Sequence, residues 1–218
     1  MEIAVTLNGQ KKRWTIQPSE TLLEVLRREG CKSVKFCDDT GVYGCDTVLL
    51  NGKAVSANLT MAAKADGSEI LTIEGLAAPG ELHPLQQAFI EHNAVQCGYH
   101  IPGMILTAKA YLDAHPQATE AELREVIIGT LDRDSGYKKP VEAIMAYARG
   151  KVKTRPVPPT QPEFQVVSTS VPKVDAEKLA TGRAQFTDDY EMPGMAYAKI
   201  LLSPHAHARI THINTEKA

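Results

Sequence analysis

At Pro84 the hydrophobic period of the chain changes, and no single regular architecture accommodates both sides of that point. Upstream, EIAVTLNG and KRWTIQP alternate as two short strands, and Asn8-Gly9 between them suits a hairpin turn. Pro18, Ser19 and Glu20 then open a helix, with Ser19 or Thr21 as its cap and Leu22, Leu23, Val25 and Leu26 as its apolar stripe. Gly30 stops it. TVLLNGKAV reads as a second hairpin around Asn51-Gly52, and EILTIEGL as a last strand. Downstream, PLQQAFIEHNA, GMILTAKAYLDAH, TEAELREVIIG and KKPVEAIMAYARG carry apolar residues at helical spacing. Thr119 and Glu122 form a capping box, and His115-Pro116 and Gly129 punctuate the set.

The expected class is therefore α+β, with a β-grasp-like unit over residues 1–77 and a small four-helix bundle over residues 78–150. Residues 151–172 hold five prolines and no helical period, which predicts an extended linker. Residues 173–218 predict a few strands, AYAKILLSPHAHARITHINTEKA among them, but about 46 residues are too few for an independent core. A net charge of −2 gives no electrostatic case for nucleic acid or an anionic membrane surface. No apolar run approaches the about 20 residues needed to span a bilayer. The opening MEIAVTLNGQ lacks the cationic and apolar segments of a signal peptide, so a cytoplasmic protein is expected.

The chain has four cysteines: Cys31, Cys37, Cys45 and Cys97. In a cytoplasmic chain of this size none is expected in a structural disulfide, although Cys37 and Cys45 can approach across their loop. Cys31, ending the first helix, reads as a small buried residue, and Cys97 as a buried thiol in a helix-packing segment. The loop KFCDDTGVYGCDTV has the glycines and small polar residues of a cluster-binding loop. Yet Cys37 and Cys45 have seven residues between them, which suits neither an iron–sulfur nor a zinc motif.

Plant-type [2Fe–2S] loops use C-x4-C-x2-C with a fourth cysteine further on. That frame falls here on Asp38, Tyr43 and Asp46, with the fourth place on Asn58; the flanks Lys35-Phe36, Gly41-Val42 and Thr47-Val48-Leu49-Leu50 fit it. QCGYHIPGMILTAKA resembles the QCGFCTPGM segment of xanthine dehydrogenases and aldehyde oxidoreductases, and GTLDRDSGYKKPVEAI resembles their GNLCRCTGYxxIxxAI. TGRAQFTDDYEMPGMAYAKILLSPHAHARI resembles the opening of their molybdopterin-binding portion. The resemblance to this molybdenum hydroxylase family covers essentially the whole chain, in family order. The loss of cluster cysteines points to its selenium-dependent branch.

The resemblance implies a β-grasp ferredoxin-like domain, a four-helix domain of the [2Fe–2S]-binding type, and the start of a molybdopterin-binding portion. The family's second set of cluster ligands falls on Cys97, His100, Asp132 and Asp134. Of its eight ligand places only Cys97 keeps sulfur, so no cofactor is expected in this chain. Cys97, His100 and the two aspartates could still hold a single zinc or iron ion; the plainer expectation is polar positions hydrogen-bonded to loop backbone. Asp38, Asp46, Asp132 and Asp134 are expected to accept from loop N–H groups that a cluster would otherwise face. Gln96 occupies a place that lies near the pterin in the family, so a pterin contact is implied. His205 and His207 share a strand face but sit in a segment common to the family, and read as structural. The implied function is the N-terminal portion of a purine- or aldehyde-oxidising hydroxylase, a scaffold for a catalytic portion carried by the same chain or another subunit. Any flavin sits on a separate subunit, and the chain alone carries no active site. The alternatives are an electron-transfer subunit with unusual ligands, and a truncated non-catalytic remnant.

Overall fold

The computed structural model describes residues 1–152 and 171–216. Most of the expected linker lies outside the described residues. The chain divides into two units, Met1–Gln185 and Phe186–Ala218. The first unit is a mixed α/β structure with a small sheet and a set of helices.

Strands β1 (Glu2–Leu7) and β2 (Gln10–Thr15) form an antiparallel hairpin with Leu7 paired to Gln10. Asn8 and Gly9 both take positive φ, 49° and 78°, which is why an Asn-Gly pair makes this turn. Helix α1 (Leu22–Arg28) is capped by Thr21, whose side chain accepts from Glu24 N while the Glu24 carboxylate accepts from Thr21 N. Its residues Leu22, Leu23, Val25 and Leu26 are buried, each contributing about 2 kcal/mol by leaving water. Strands β3 (Thr47–Leu50) and β4 (Lys53–Ser56) make the second hairpin around Asn51-Gly52. Strand β5 (Glu69–Leu71) enters between the hairpins, parallel to β1 and antiparallel to β3, giving the order β2-β1-β5-β3-β4. Ile3, Val5, Leu7, Trp14, Val48 and Ile70 close on α1 in one core.

β5 is shorter than the alternation predicts. Asn8 accepts from Thr72 N at 2.9 Å and donates to Thr72 Oγ1 at 3.0 Å, which takes the chain out of the ladder. Residues Ile73–Gly75 then turn as a 3-10 helix.

Helices α2 (Pro84–Glu91), α3 (Ile101–Ala114), α4 (Glu120–Ile127) and α5 (Lys138–Ala148) follow. Leu85, Phe89, Ile101, Met104, Ile105, Leu123 and Ile144 are fully buried among them. The capping box of α4 is present, with Thr119 Oγ1 accepting from Glu122 N. His83 caps α2, its Nδ1 accepting from Leu85 N at 3.1 Å, and burial lowers its pKa, which favours the neutral acceptor form. A short helix α6 (Ala176–Ala180) packs here too, where buried Gln86 donates to Ala180 O at 3.1 Å.

Two glycines set the approach of the sheet half to the helical half. A Cβ on Gly103, in the first turn of α3, would overlap the carbonyl oxygen of Gly44. A Cβ on Gly44 would stand 2.9 Å from Gly129 O. The loop between α1 and β3 is thus laid backbone to backbone on the helices.

The second unit holds a 3-10 turn, Thr187–Asp189, and no strand among the described residues. The strands expected over 173–218 are corrected accordingly. Ile200, Leu201 and Leu202 stand 86%, 94% and 77% exposed and pair with no neighbouring strand, so nothing within this short unit completes a ladder.

Gly103→Ala should lower stability by about 1–3 kcal/mol, because the loop carbonyl must move to admit the methyl group. Gly136→Ala, where nothing lies within 4 Å of the new carbon, should leave it nearly unchanged. Chemical denaturation of both variants checks this.

Candidate site at the junction of the sheet and helical halves

The loop between α1 and β3 runs over residues 35–46 and is tied down at both faces. Lys35 N donates to Cys45 O at 3.2 Å, closing the loop on itself. Leu131 N donates to Val42 O at 3.0 Å, and Tyr99 Oη donates to Phe36 O at 3.0 Å, binding the loop to the helical half. Thr130 is buried beside Gly44, and its hydroxyl has no hydrogen-bond partner.

Of the first four inherited ligand places, three come together. Asp38 accepts from Thr40 N at 3.1 Å and Gly41 N at 3.2 Å, and from the Thr40 hydroxyl at 2.6 Å. Those donors lower its pKa, the Thr40 hydroxyl most. Asp46, only 4% exposed, accepts from Asn58 N at 2.8 Å and from Ser56 Oγ. Asn58 Nδ2 donates to Asp38 O at 3.0 Å. Tyr43 is exposed and lies outside this network.

The second four places also gather. Asp134 is buried and accepts from Cys97 N at 3.3 Å, and Asp132 accepts from Asp134 N at 3.1 Å. The His100 Nδ1 lies 3.4 Å from Asp132 Oδ2 and 3.8 Å from Cys97 Sγ. The Cys97 sulfur, the imidazole and the Asp132 carboxylate lie within 4.8 Å of one another. All four aspartates therefore accept from loop backbone, as expected for carboxylates facing orphan N–H groups. Gln96 is half-buried just before this group. His205 and His207 are exposed in the second unit.

The cysteines depart from expectation in two ways. Cys37 and Cys45 are joined in a disulfide. Gly41 and Gly44, both at positive φ, fold the loop back so that its two ends meet. Cys97 is exposed rather than buried, although partial shelter of its thiol and the nearby Asp134 raise its pKa. Cys31 is buried as expected, and burial pushes its thiol up to about 12. His100 Nε2 lies 3.8 Å from Cys37 Sγ while Nδ1 faces Cys97, a juxtaposition across the two halves that no local pattern announces. Cys37, Cys45 and His100 offer donor atoms within 4.8 Å of one another.

A [2Fe–2S] cluster asks for four soft donors, usually thiolates. The inherited places alone provide one thiolate, and the carboxylates of the first loop are engaged by backbone. Two further sulfurs, those of Cys37 and Cys45, lie outside the inherited places and gather with His100 at this junction.

Residues 72–145 match a family described as [2Fe-2S] binding domain, and residues 181–218 match one described as aldehyde oxidase and xanthine dehydrogenase, a/b hammerhead domain. The chain is 44% identical over 147 residues to the nicotinate dehydrogenase small FeS subunit of Eubacterium barkeri, covering 67% of this chain and 93% of that one. It is 33% identical over its whole length to the Escherichia coli K12 protein named "Probable hypoxanthine oxidase XdhD", of which it spans 23%. The solved aldehyde oxidoreductase of Desulfovibrio desulfuricans superposes with a TM-score of 0.77 at 33% identity, over 86% of this chain and 22% of that one. The chain thus spans about a quarter of the length of these larger relatives. The expectation that this chain has no cofactor is overturned. Its helical half matches a [2Fe-2S] binding domain, and a relative spanned nearly end to end is named an FeS subunit.

Asp46→Ala should cost about 1–3 kcal/mol, because Asn58 N would then be left without its acceptor. Asp46→Asn, which keeps a carbonyl acceptor, should cost less, and thermal melts of the two variants test it. The matched domains, the near-complete span of a small subunit and the superposed structure agree: the chain belongs to the xanthine dehydrogenase family of molybdenum hydroxylases.

Proposed function

We propose that this chain is the N-terminal iron–sulfur region of a cytoplasmic molybdenum hydroxylase that oxidises a purine or an aldehyde. In this reading residues 1–77 form a β-grasp ferredoxin-like domain and residues 78–150 a four-helix domain. Residues 151–172 are a linker, and residue 173 begins a molybdopterin-binding portion. Its partner is a molybdopterin-binding catalytic portion, in the same polypeptide or in a separate subunit, and a flavin belongs to another subunit. The observation that carries the reading is the gathering of sulfur and imidazole donors at one junction, within a region whose relative is named an FeS subunit.

Bound iron–sulfur would supply one-electron transfer to and from the catalytic portion. The residues of this chain shape how that happens. In this reading Gln96, half-buried beside Cys97, contacts the pterin. The Gly44–Gly103 contact holds the cysteine loop against α3, keeping the donors in register. The aspartates tie down the two loops by taking their backbone N–H groups. The scaffolding role rests on the second unit: Tyr197, Ile200, Leu201 and Leu202 form an apolar run exposed beyond 75%, which suits burial against a catalytic portion.

Protein purified without oxygen from cells supplied with iron, and assayed for iron and acid-labile sulfide, should carry iron near one equivalent per chain or more. It should also co-purify with a molybdopterin-containing portion. An iron-free chain, or one that associates with no such portion, would overturn the reading.

A further inference from the structure

Three donors at the junction belong to no inherited ligand set as a group. Cys37 and Cys45 come from the loop of the sheet half, and His100 from the residue before α3. Neither cysteine stands at an inherited ligand place, and the imidazole meets them through Nε2, the nitrogen turned away from Cys97. We propose that Cys37, Cys45 and His100 Nε2 form a redox-gated site for thiophilic iron, shut by the Cys37–Cys45 disulfide and opened by its reduction. The inference rests on the reading of this region as iron-binding and says which residues hold the metal.

The geometry suits tetrahedral coordination. Metal–sulfur bonds of about 2.3 Å and metal–nitrogen bonds of about 2.05 Å put neighbouring sulfur and nitrogen ligands about 3.5 Å apart. Cys37 Sγ and His100 Nε2 stand at 3.8 Å, and the three donor atoms lie within 4.8 Å of each other. Two thiolates and one imidazole make a soft donor set that selects iron or zinc over calcium or magnesium. Three protein ligands leave a fourth position open. The other face of the imidazole is provided for as well. Nδ1 lies 3.4 Å from the Asp132 carboxylate, which can accept the Nδ1 proton and so leave the Nε2 lone pair for the metal. Asp132 is then a positioning residue rather than a ligand.

The gate balances as a thiol–disulfide exchange. A dithiol reductant attacks one sulfur of the Cys37–Cys45 bond, passes through a mixed disulfide, and ends as its own disulfide. Two electrons and two protons arrive on Cys37 and Cys45. Iron(II) then binds both sulfurs and releases the two thiol protons to water. In the reverse exchange an oxidised dithiol accepts the two electrons and two protons and leaves as the dithiol, the Cys37–Cys45 bond re-forms, two of the three ligands are lost and the ion is expelled. Cys45 is buried and Cys37 half-buried, so the dithiol reaches the pair from the Cys37 side.

The test uses the full chain, in disulfide and dithiol-reduced forms, desalted without oxygen and loaded with iron(II) alone or with iron(II) plus sulfide. Retained iron, sulfide and thiolate-to-iron absorbance are read after a second desalting. The reduced protein should retain iron at least tenfold better than the disulfide form. Cys37→Ser, Cys45→Ser and His100→Ala should each abolish the absorbance, while Cys97→Ser should leave it in place. Asp132→Ala should weaken binding about 10–100-fold. Melting curves show whether each variant is folded, and the wild-type comparison of the two redox forms needs no variant at all. Sulfide retained with the iron identifies a bridged pair and its absence a single ion; both support the ligand set. Equal retention in the two redox forms, or retention that survives Cys37→Ser and Cys45→Ser but not Cys97→Ser, overturns this ligand assignment and leaves the iron-binding reading standing. No retention in any form overturns both.

Discussion

The backbone of the loop between α1 and β3 touches the backbone of the helical half where Gly44 O lies against Gly103. Side chains cannot intervene there without displacing one half. That contact makes the sheet and the helices one unit, and it decides which side chains meet. Cys37 and Cys45 arrive from one side, Cys97, His100 and Asp132 from the other, and the imidazole stands between them. The hydrogen bonds from Leu131 to Val42 and from Tyr99 to Phe36 hold the same geometry from either flank.

Polar satisfaction explains why these loops keep their shape with so little sulfur. A loop built around a cluster points several N–H groups inward, and each buried donor without an acceptor costs about 1–3 kcal/mol. Asp46, Asp132 and Asp134 accept from part-buried N–H groups of these loops, and Asp38 from the exposed Thr40 N. A carboxylate is a good acceptor for N–H and a poor donor to soft iron. The loops are thus held by oxygen acceptors, and the sulfur and imidazole donors gather beside them.

Much of the fold was legible because it is written in short-range chemistry. Asn8-Gly9 and Asn51-Gly52 announce both hairpins, Thr21 and Thr119 announce their helices, and the apolar stripe of α1 announces its buried face. Long-range effects were not legible. The early end of β5 depends on Asn8 reaching Thr72, far along the chain. The exposed run at Ile200–Leu202 reads as strand, but a ladder needs neighbours that this unit does not contain. At the site, the aspartates were legible as N–H acceptors from their place in the loops. The disulfide was not, because a reducing cytoplasm disfavours disulfides, and the turns at Gly41 and Gly44 that bring Cys37 and Cys45 together appear only in the folded loop. Nor was the expectation of an absent cofactor sound. It rested on linear spacing, which sets Cys37 and Cys45 aside, whereas the fold brings both against His100.

The most direct measurement is anomalous scattering at the iron edge from crystals of the dithiol-reduced protein, grown and loaded without oxygen. A single peak within bonding distance of Cys37 Sγ, Cys45 Sγ and His100 Nε2, with Asp132 on the far side of the ring, is the predicted result. A peak coordinated by Cys97, Asp132 and Asp134 with Cys37 and Cys45 uninvolved, or no peak beside His100 at all, would contradict the account.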